Sequence, residues 1–328
     1  PVFPGGAAGV GADMALLPVR RRALGIVLLQ CGRVVGAVVA EQCAARFQPG
    51  RAVHQALPVV VAAFMAQVAQ QGAVGLAQVL PALLALGIVG SAALAAGGKA
   101  GRWVVFGTAS ENATGSADGV VQQFRQRGVS AVALPVSPLL KDRPVADAVR
   151  DPALVAQVRA AQGVYFTGGA QARIVDAFAP GGRSSPLLLA IWDVYRAGGV
   201  VAGTSAGAAI MSSTMFRDAP DVLGAMKGKL REGQEVGAGL GFMGTQLFVD
   251  QHFLKRGRFG RMIPVMQALG IPLGLGVEED SAALLRGDEI EIIAGKAVVV
   301  DLAAGTASGG ATLAADTASE PVWRTTRR

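Results

Sequence analysis

The sequence predicts an α/β fold with a mostly parallel sheet and an antiparallel edge. From about residue 99, short apolar runs alternate with segments whose apolar residues have helical spacing, which is typical of parallel strands connected by helices. Near the end, four short strand-like runs follow one another closely, which indicates antiparallel strands. The 328 residues, 52% of them hydrophobic, are enough for a large core, and 45 glycines suit close packing of helices on a sheet.

The elements are predicted in chain order from these patterns. In the parallel part we predict strands at residues 102–107, 131–136, 163–169 and 198–203. Helices are predicted at 115–128, 152–162, 171–178 and 186–196. A strand at 247–252 and a helix at 257–269 come next. The antiparallel edge is predicted from strands at 275–279, 281–285, 289–293 and 297–302.

The first 94 residues match neither pattern. Residues 52–98 contain no Asp, Glu, Lys or Arg, and residues 79–97 are apolar and nearly long enough for a membrane span, although a buried helix is the more ordinary interpretation. Three arginines at 20–22 precede an apolar run as in an export signal, but Arg33 interrupts it. We therefore expect an unassigned apolar extension (1–94), either export-related or not natively folded, an α/β domain (95–303) and a mobile tail (304–328). The compartment stays open between cytoplasmic and exported.

Composition argues against several classes of function. A net charge of +7 and an isoelectric point near 10.0 are compatible with nucleic-acid binding, but the basic clusters are short and are not interleaved with aromatic residues. We therefore predict no nucleic-acid partner. Two cysteines, Cys31 and Cys43, exclude a disulfide scaffold and a cysteine-rich zinc site. No metal and no cofactor is predicted.

A candidate nucleophile lies in the run Gly203-Thr204-Ser205-Ala206-Gly207, which fits the G-x-S-x-G pattern of a nucleophile elbow. A serine on a sharp strand-to-helix turn has a crowded backbone, so its neighbours must be small. The turn places the hydroxyl at a helix N-terminus, where the free N–H of Ala206 is available to an oxyanion. The alternative is a glycine-rich turn without chemistry.

The candidate general base is His252, at the carboxyl end of a predicted strand, where α/β proteins place their sites. The only other histidine, His54, lies in the uncharged segment. A histidine at a strand end is often only a polar cap, but a serine nucleophile requires a base and a carboxylate to orient it. Candidates for that carboxylate are Asp250, Glu278, Glu279 and Asp280, and spacing does not choose among them.

A second glycine turn, Thr167-Gly168-Gly169-Ala170-Gln171, ends the strand that precedes the elbow strand. Parallel neighbours bring their carboxyl-terminal loops together, so the N–H of Gly168 or Gly169 can complete an oxyanion hole with that of Ala206. Gln171 can contact substrate. The alternative is a simple turn in which Gln171 begins a helix.

The segment after His252 is strongly basic: Arg256, Arg258 and Arg261 follow within nine residues. Arginine binds carboxylates with two parallel hydrogen bonds, so a positive mouth beside the base predicts an anionic ligand. The alternative is a solvated helix start, although arginine at a helix N-terminus opposes the helix dipole.

Taken together, the motifs at 167–171, 203–208, 250–261 and 276–282 resemble the cyanophycinases, serine peptidases of the S51 class related to aspartyl dipeptidase. The resemblance covers residues 95–302 approximately. It implies a flavodoxin-like, class I glutamine amidotransferase-like three-layer sandwich, with Ser205 as nucleophile, His252 as base and Glu279 as the acid. The oxyanion would lie near Gly169 and Ala206. The family's substrate-binding positions fall on Gln171, Asp250, Gln251, Arg256, Arg258 and Arg261.

The same resemblance implies a function. Family members cleave cyanophycin, a poly-aspartate with arginine on each side chain, to β-Asp-Arg dipeptides through an acyl-enzyme, and they usually form homodimers. The alternatives are an aspartyl dipeptidase-like hydrolase acting on short peptides and a non-catalytic amidotransferase-like binding module. The chain departs from the family in its first strand, for which only Gly87–Gly90 is similar, and in Glu278 and Ser281, where the family often has Asp and Thr.

Overall fold

A computed structural model of the chain describes residues 25–30 as a strand and describes residues 101–217, 221–287 and 289–302 more fully. The glycine pair at 87–90, the apolar stretch 79–97, His54, both cysteines and the tail 304–328 lie outside the described residues. In the described part of the chain, no helix is both long and apolar enough to cross a membrane.

Strands and helices alternate through the first two thirds of the described part. The strands are β1 (Gly25–Gln30), β2 (Arg102–Phe106), β3 (Ser130–Leu134), β4 (Gly163–Phe166), β5 (Val200–Thr204), β6 (Thr214–Phe216), β7 (Val236–Ala238), β8 (Leu247–Gln251), β9 (Leu273–Val277), β10 (Ser281–Arg286), β11 (Glu289–Ala294) and β12 (Ala297–Asp301). The α-helices are α1 (Ala113–Gln126), α2 (Val145–Ala148), α3 (Pro152–Arg159), α4 (Gln171–Phe178), α5 (Pro186–Arg196), α6 (Ala206–Ala209), α7 (Val222–Met226) and α8 (Phe259–Leu269).

The main sheet has seven strands in the order β11-β10-β1-β5-β4-β2-β3. The five strands from β1 to β3 in that order are mutually parallel, and β10 and β11 join the edge antiparallel. The predicted α/β class, with a mostly parallel sheet and antiparallel edge strands, is therefore confirmed. The sequence predicts no strand within residues 1–94. In the structure, β1 (Gly25–Gln30) lies between β5 and β10 and pairs with both.

A second sheet has the order β12-β9-β8, with β8 and β9 parallel and β12 antiparallel to β9. The sequence predicts one antiparallel edge from the last four strands, whereas the structure divides them between the two sheets. The chain leaves the second sheet at the turn between β9 and β10, where Asp280 has a φ of 55°, and returns to it at the turn between β11 and β12. The strand pattern along the sequence predicts each strand but not which sheet it joins.

Helices cover both faces of the main sheet, which makes three layers. On one face, Phe124 of α1 stacks on Trp103 of β2. On the other face, α3, α4 and α5 enclose the main core, where Phe106, Phe166 and Phe178 contact one another. The second sheet contributes to this core with one side, and its other side is covered by α8.

The small elements between the elbow and β8 were not predicted. They are the hairpin of β6 and β7, each three residues long, and the five-residue helix α7. Elements this short contain too few residues for a period of 2 or 3.6 to be recognised. Helix α2, with four residues, was missed for the same reason.

Candidate active site

The turn between β5 and α6 carries Ser205 in a strained conformation, with φ 53° and ψ −109°. Such a backbone is rare for a residue with a side chain and is held in place by its surroundings. A Cβ on Gly203 would overlap the carbonyl oxygen of Gly207, and a Cβ on Gly207 would overlap that of Phe166 in β4. The two glycines of the motif are therefore required by close backbone packing under the serine.

The second glycine turn lies directly beside this serine. A Cβ built on Gly168 would be 3.2 Å from the Cβ of Ser205. The following residue, Gly169, has a φ of 140°, and a Cβ there would overlap the carbonyl of Ala109. Ala206 is the first residue of α6, so its N–H has no carbonyl partner within the helix. Two backbone segments thus flank the hydroxyl from β4 and β5.

His252 follows β8 and reaches the serine: its Nε2 is 3.1 Å from Ser205 Oγ. The residue has a φ of 51°, which turns the chain out of the strand. Phe253 then folds back over Gly276 of β9, where any Cβ would overlap the phenyl ring. The absence of a side chain at Gly276 therefore allows the turn that presents the imidazole.

Glu279 lies on the opposite side of the imidazole, with Oε1 2.9 Å from His252 Nδ1. Its other oxygen, Oε2, is 3.6 Å from Lys255 Nζ. The imidazole and the carboxylate are only 12% and 15% exposed, so little water competes for this contact. Of the four carboxylates that spacing left open, the structure places this one against the histidine.

The two sheets are joined next to the site. Ser212, which is fully buried and follows α6, accepts a hydrogen bond from the backbone N–H of Val249 in β8 at 2.8 Å. The residues after α6 also accept backbone hydrogen bonds from Leu240 and Met243. These contacts fix the strand that carries the imidazole relative to the helix that carries the serine.

Asp250 forms a buried ion-pair cluster with two arginines of the predicted mouth. Arg261 donates to both carboxylate oxygens of Asp250, from Nε at 2.7 Å and from Nη2 at 2.6 Å. Arg258 donates from Nη1 to Asp250 Oδ1 at 3.3 Å and to the carbonyl of Gln251 at 2.6 Å. None of the three side chains is more than 5% exposed. These two guanidiniums therefore bind the chain itself in this structure, because a carboxylate is enclosed between them.

The remaining predicted substrate-binding residues lie at the surface of the site or beneath it. Arg256 is exposed, as is its neighbour Lys255. Gln251 is buried, with Oε1 3.5 Å from Ser205 Oγ. Gln171 is also buried and donates from Nε2 to the carbonyl of Phe216 at 2.7 Å. Of the three arginines predicted to form a positive mouth, Arg256 is exposed beside Lys255, whereas Arg258 and Arg261 are buried.

Electrostatics keep the imidazole neutral. Burial lowers the pKa of His252 below that of free imidazole, Arg256 and Arg258 lower it further, and the contact with Glu279 opposes them. For Glu279, burial raises the pKa, but the hydrogen bond with His252 and the charge of Lys255 outweigh burial, and the pKa is lower than usual. At neutral pH the site thus contains a neutral imidazole and an ionised carboxylate, the protonation states that proton transfer from a hydroxyl requires.

Burial also lowers the pKa of Arg258, to about 10, although the charge of Asp250 opposes this. Arg258 therefore remains charged at neutral pH. In the part of the chain that the structure describes, no group of three or more His, Cys, Asp or Glu residues is arranged to hold a metal ion.

Sequence analysis missed the supporting roles of Ser212 and Lys255 and considered Glu278 only as a possible triad acid. Glu278 accepts hydrogen bonds from the backbone N–H groups of Leu254, Lys255 and Glu279. The sequence makes Glu278 a candidate because it adjoins Glu279. Its hydrogen bonds to backbone groups could not be predicted, because such bonds leave no pattern in the sequence.

Comparisons with known proteins identify a matching family model and related sequences. The family model of peptidase family S51 matches residues 97–293, more than half of the chain. The cyanophycinase of Trichormus variabilis is 34% identical over 145 residues, which are 44% of this chain and 46% of that protein. The cyanophycinase of Synechococcus elongatus is 31% identical over 166 residues, 50% of this chain and 47% of that protein. The chain thus spans about half the length of the curated relatives it matches.

A solved structure of a peptidase from an acI-B1 Actinobacterium has a similar fold, with a TM-score of 0.54 and 16% sequence identity. The match covers 86% of this chain and 91% of that one. At this identity the likeness concerns the fold alone.

Proposed function

The chain belongs to peptidase family S51, and we propose that it is a serine peptidase that hydrolyses cyanophycin to β-Asp-Arg dipeptides. The observation that carries the proposal is the pair of contacts that joins Ser205 Oγ to His252 Nε2 at 3.1 Å and His252 Nδ1 to Glu279 Oε1 at 2.9 Å. A hydroxyl, an imidazole and a carboxylate in this order are the arrangement that activates a serine.

In the proposed reaction, His252 takes the proton of Ser205 through Nε2 while Oγ forms a bond to the aspartyl carbonyl carbon of the substrate. Glu279 accepts the Nδ1–H of His252 and stabilises the imidazolium. The negative oxygen of the tetrahedral intermediate lies near the N–H groups of Gly169 and Ala206. The C–N bond then breaks, and His252 transfers its proton to the departing amine.

The second half of the reaction releases the acyl group. A water molecule gives a proton to His252 and attacks the ester carbonyl, and the bond to Ser205 Oγ breaks as the proton returns to the serine. The net change is the addition of one water across one amide bond.

Charge and relatives support the choice of cyanophycin. The polymer presents an α-carboxylate on each arginine, and Lys255 and Arg256 form a positive rim beside the imidazole. The two relatives described above are cyanophycinases and align with about half their length. The family resemblance also suggests a homodimer, which sedimentation velocity can test.

Incubation of the purified chain with insoluble cyanophycin, followed by mass analysis of the soluble products, tests the proposal. We expect β-Asp-Arg dipeptides from the wild type and from Ser116→Ala, a serine on α1, but none from Ser205→Ala. Hydrolysis of α-aspartyl dipeptides without release from the polymer would instead identify an aspartyl dipeptidase-like hydrolase. Dipeptide release by Ser205→Ala at the wild-type rate would reject Ser205 as the nucleophile.

A further inference from the structure

Glu278 binds the backbone of two loops with one carboxylate. Its Oε2 accepts hydrogen bonds from the N–H of Leu254 at 2.5 Å and the N–H of Lys255 at 3.0 Å. Its Oε1 accepts one from the N–H of Glu279 at 2.7 Å. Leu254 and Lys255 belong to the loop that follows His252, whereas Glu279 carries the carboxylate that contacts that histidine. One side chain therefore connects the loop of the base to the loop of the acid.

The loop of the acid is also anchored on its other side. The backbone N–H of Glu278 donates to the carbonyl of Lys296 at 3.1 Å. Ser281 Oγ donates to the carbonyl of Glu279 at 3.1 Å and accepts from the N–H of Lys296 at 2.7 Å. The turn between β11 and β12 thus supports the acid loop, and the Glu278 carboxylate extends this support to the base loop.

Both loops contain a residue with a strained backbone conformation. His252 has a φ of 51° and Asp280 a φ of 55°, values that cost free energy for residues with side chains and persist only when the surroundings hold them. Hydrogen bonds from N–H groups to an ionised carboxylate are stronger than bonds between neutral groups. A carboxylate at this point is suited to hold two strained loops at a fixed distance.

We propose that Glu278 is a positioning residue, which sets the distance between His252 and Glu279 by binding the backbone on both sides of that pair. The inference rests on the proposed function, because it assigns Glu278 a role in the same serine-dependent hydrolysis. Glu278 does not contact the serine or take part in proton transfer. It acts on the rate through Glu279 and His252.

Steady-state kinetics of dipeptide release provide the first test. In Glu278→Gln, the amide keeps one acceptor oxygen but turns an NH₂ group toward one of the two loops. We expect kcat to fall about 100-fold, the size of effect expected when a catalytic group is misplaced by about 1 Å, with KM changed less than 3-fold. Asp151→Asn is the matched control, because Asp151 also accepts a backbone N–H, at the start of α3, and it should leave kcat unchanged.

A double-mutant cycle separates positioning from general support. If Glu278 acts through Glu279, the loss of kcat caused by Glu278→Gln should largely disappear in a chain that already carries Glu279→Gln. An undiminished loss in that background would overturn the proposal. Circular dichroism is used to select variants that fold, and if Glu278→Gln does not fold, the same cycle is run with Glu278→Asp.

A measurement without substrate distinguishes failure of this inference from failure of the proposed function. The Nδ1 proton of His252, shared with Glu279, should give a far-downfield proton resonance in the wild type that is lost or shifted upfield in Glu278→Gln. The same resonance in both proteins, with equal kcat, would overturn the positioning role. A wild-type chain that shows the resonance but releases no dipeptide from any aspartyl substrate would reject the proposed function, and loss of the resonance in Glu278→Gln would still support the positioning role.

Discussion

Gly203 and Gly207 lie so close together that a Cβ on Gly203 would be 2.2 Å from the carbonyl oxygen of Gly207. The contact packs the end of β5 against the first turn of α6, on either side of Ser205. It explains why residue 203 is glycine, and the overlap of a Cβ on Gly207 with the carbonyl of Phe166 explains why residue 207 is glycine. The first prediction follows from this contact.

Gly203→Ala and Gly207→Ala should each destabilise the protein by a few kcal/mol, about 2–4, because the added methyl group overlaps backbone that cannot move aside. Chemical denaturation measures this directly. Gly119→Ala is the matched control: it lies in α1 with no atom within 4 Å of the added Cβ, so it should stabilise the protein by about 0.5–1 kcal/mol. Wild-type stability of both elbow variants would contradict the close packing described here.

Much of the fold follows from local patterns in the sequence. Helices α4 and α5 begin and end at the predicted residues, because their apolar spacing is regular and Ser185 followed by Pro186 marks the start of α5. In α3, which the sequence predicts at 152–162, the buried residues Leu154, Val155 and Val158 have the spacing of one helix face. The partition of the last strands between two sheets could not be predicted, because it depends on a turn at Asp280 whose conformation is set by tertiary contacts.

The candidate site likewise has parts that the sequence predicts and parts that it does not. The elbow is a local pattern, and the sequence alone places its serine at a strand-to-helix turn. Alternation along β9 could not select the acid, because the strand ends at Val277, before Glu278 and Glu279. The basic run after His252 suggests a solvated surface, and nothing local shows that Asp250 draws Arg258 and Arg261 inside. The catalytic, oxyanion-hole and substrate-binding assignments remain predictions.

The buried cluster gives a prediction about stability. Asp250→Ala should destabilise the protein by about 3–5 kcal/mol, since it leaves two buried guanidiniums without their carboxylate. Asp193→Ala removes an exposed ion pair with Arg159, whose side chains are 58% and 51% exposed, and should change stability by less than about 1 kcal/mol. Denaturant unfolding compares the two, and equal effects would show that the Asp250 cluster is solvated.

The charge of Arg256 should appear in the pH dependence of the nucleophile. In the proposed mechanism the neutral imidazole is the active form, so we expect reaction with a fluorophosphonate to be lost as pH falls through the pKa of His252. Burial sets that pKa below the ordinary value, and Arg256 lowers it further. Removing this positive charge raises the pKa of His252. The acid limb of the pH–rate profile, where the labelling rate falls with falling pH, should therefore move to higher pH in Arg256→Gln.

Rates of fluorophosphonate labelling between pH 4 and pH 8 measure this limb without requiring any substrate. Arg159→Gln, whose side chain pairs with Asp193, serves as the control and should leave the limb in place. A limb that moves to lower pH in Arg256→Gln would contradict the described arrangement of charges.

Glu279→Gln should act in the opposite direction on the same limb. The carboxylate opposes the lowering of the pKa of His252 through their hydrogen bond, so its loss should move the acid limb to lower pH. The maximal rate of dipeptide release should also fall, by about 100- to 10,000-fold, because the imidazolium loses its counter-charge and the ring its orientation. An unchanged rate would assign the orienting role to another group.

The central claim is that Ser205 is activated by His252, and covalent labelling with mass mapping tests it most directly. The folded protein is treated with a fluorophosphonate and digested, and the modified residue is identified in wild type, Ser205→Ala and His252→Ala. We predict one adduct, on Ser205, absent from Ser205→Ala and formed at least about 100-fold more slowly in His252→Ala. Labelling of His252→Ala at the wild-type rate, or no labelling of the folded wild-type protein, would contradict the account.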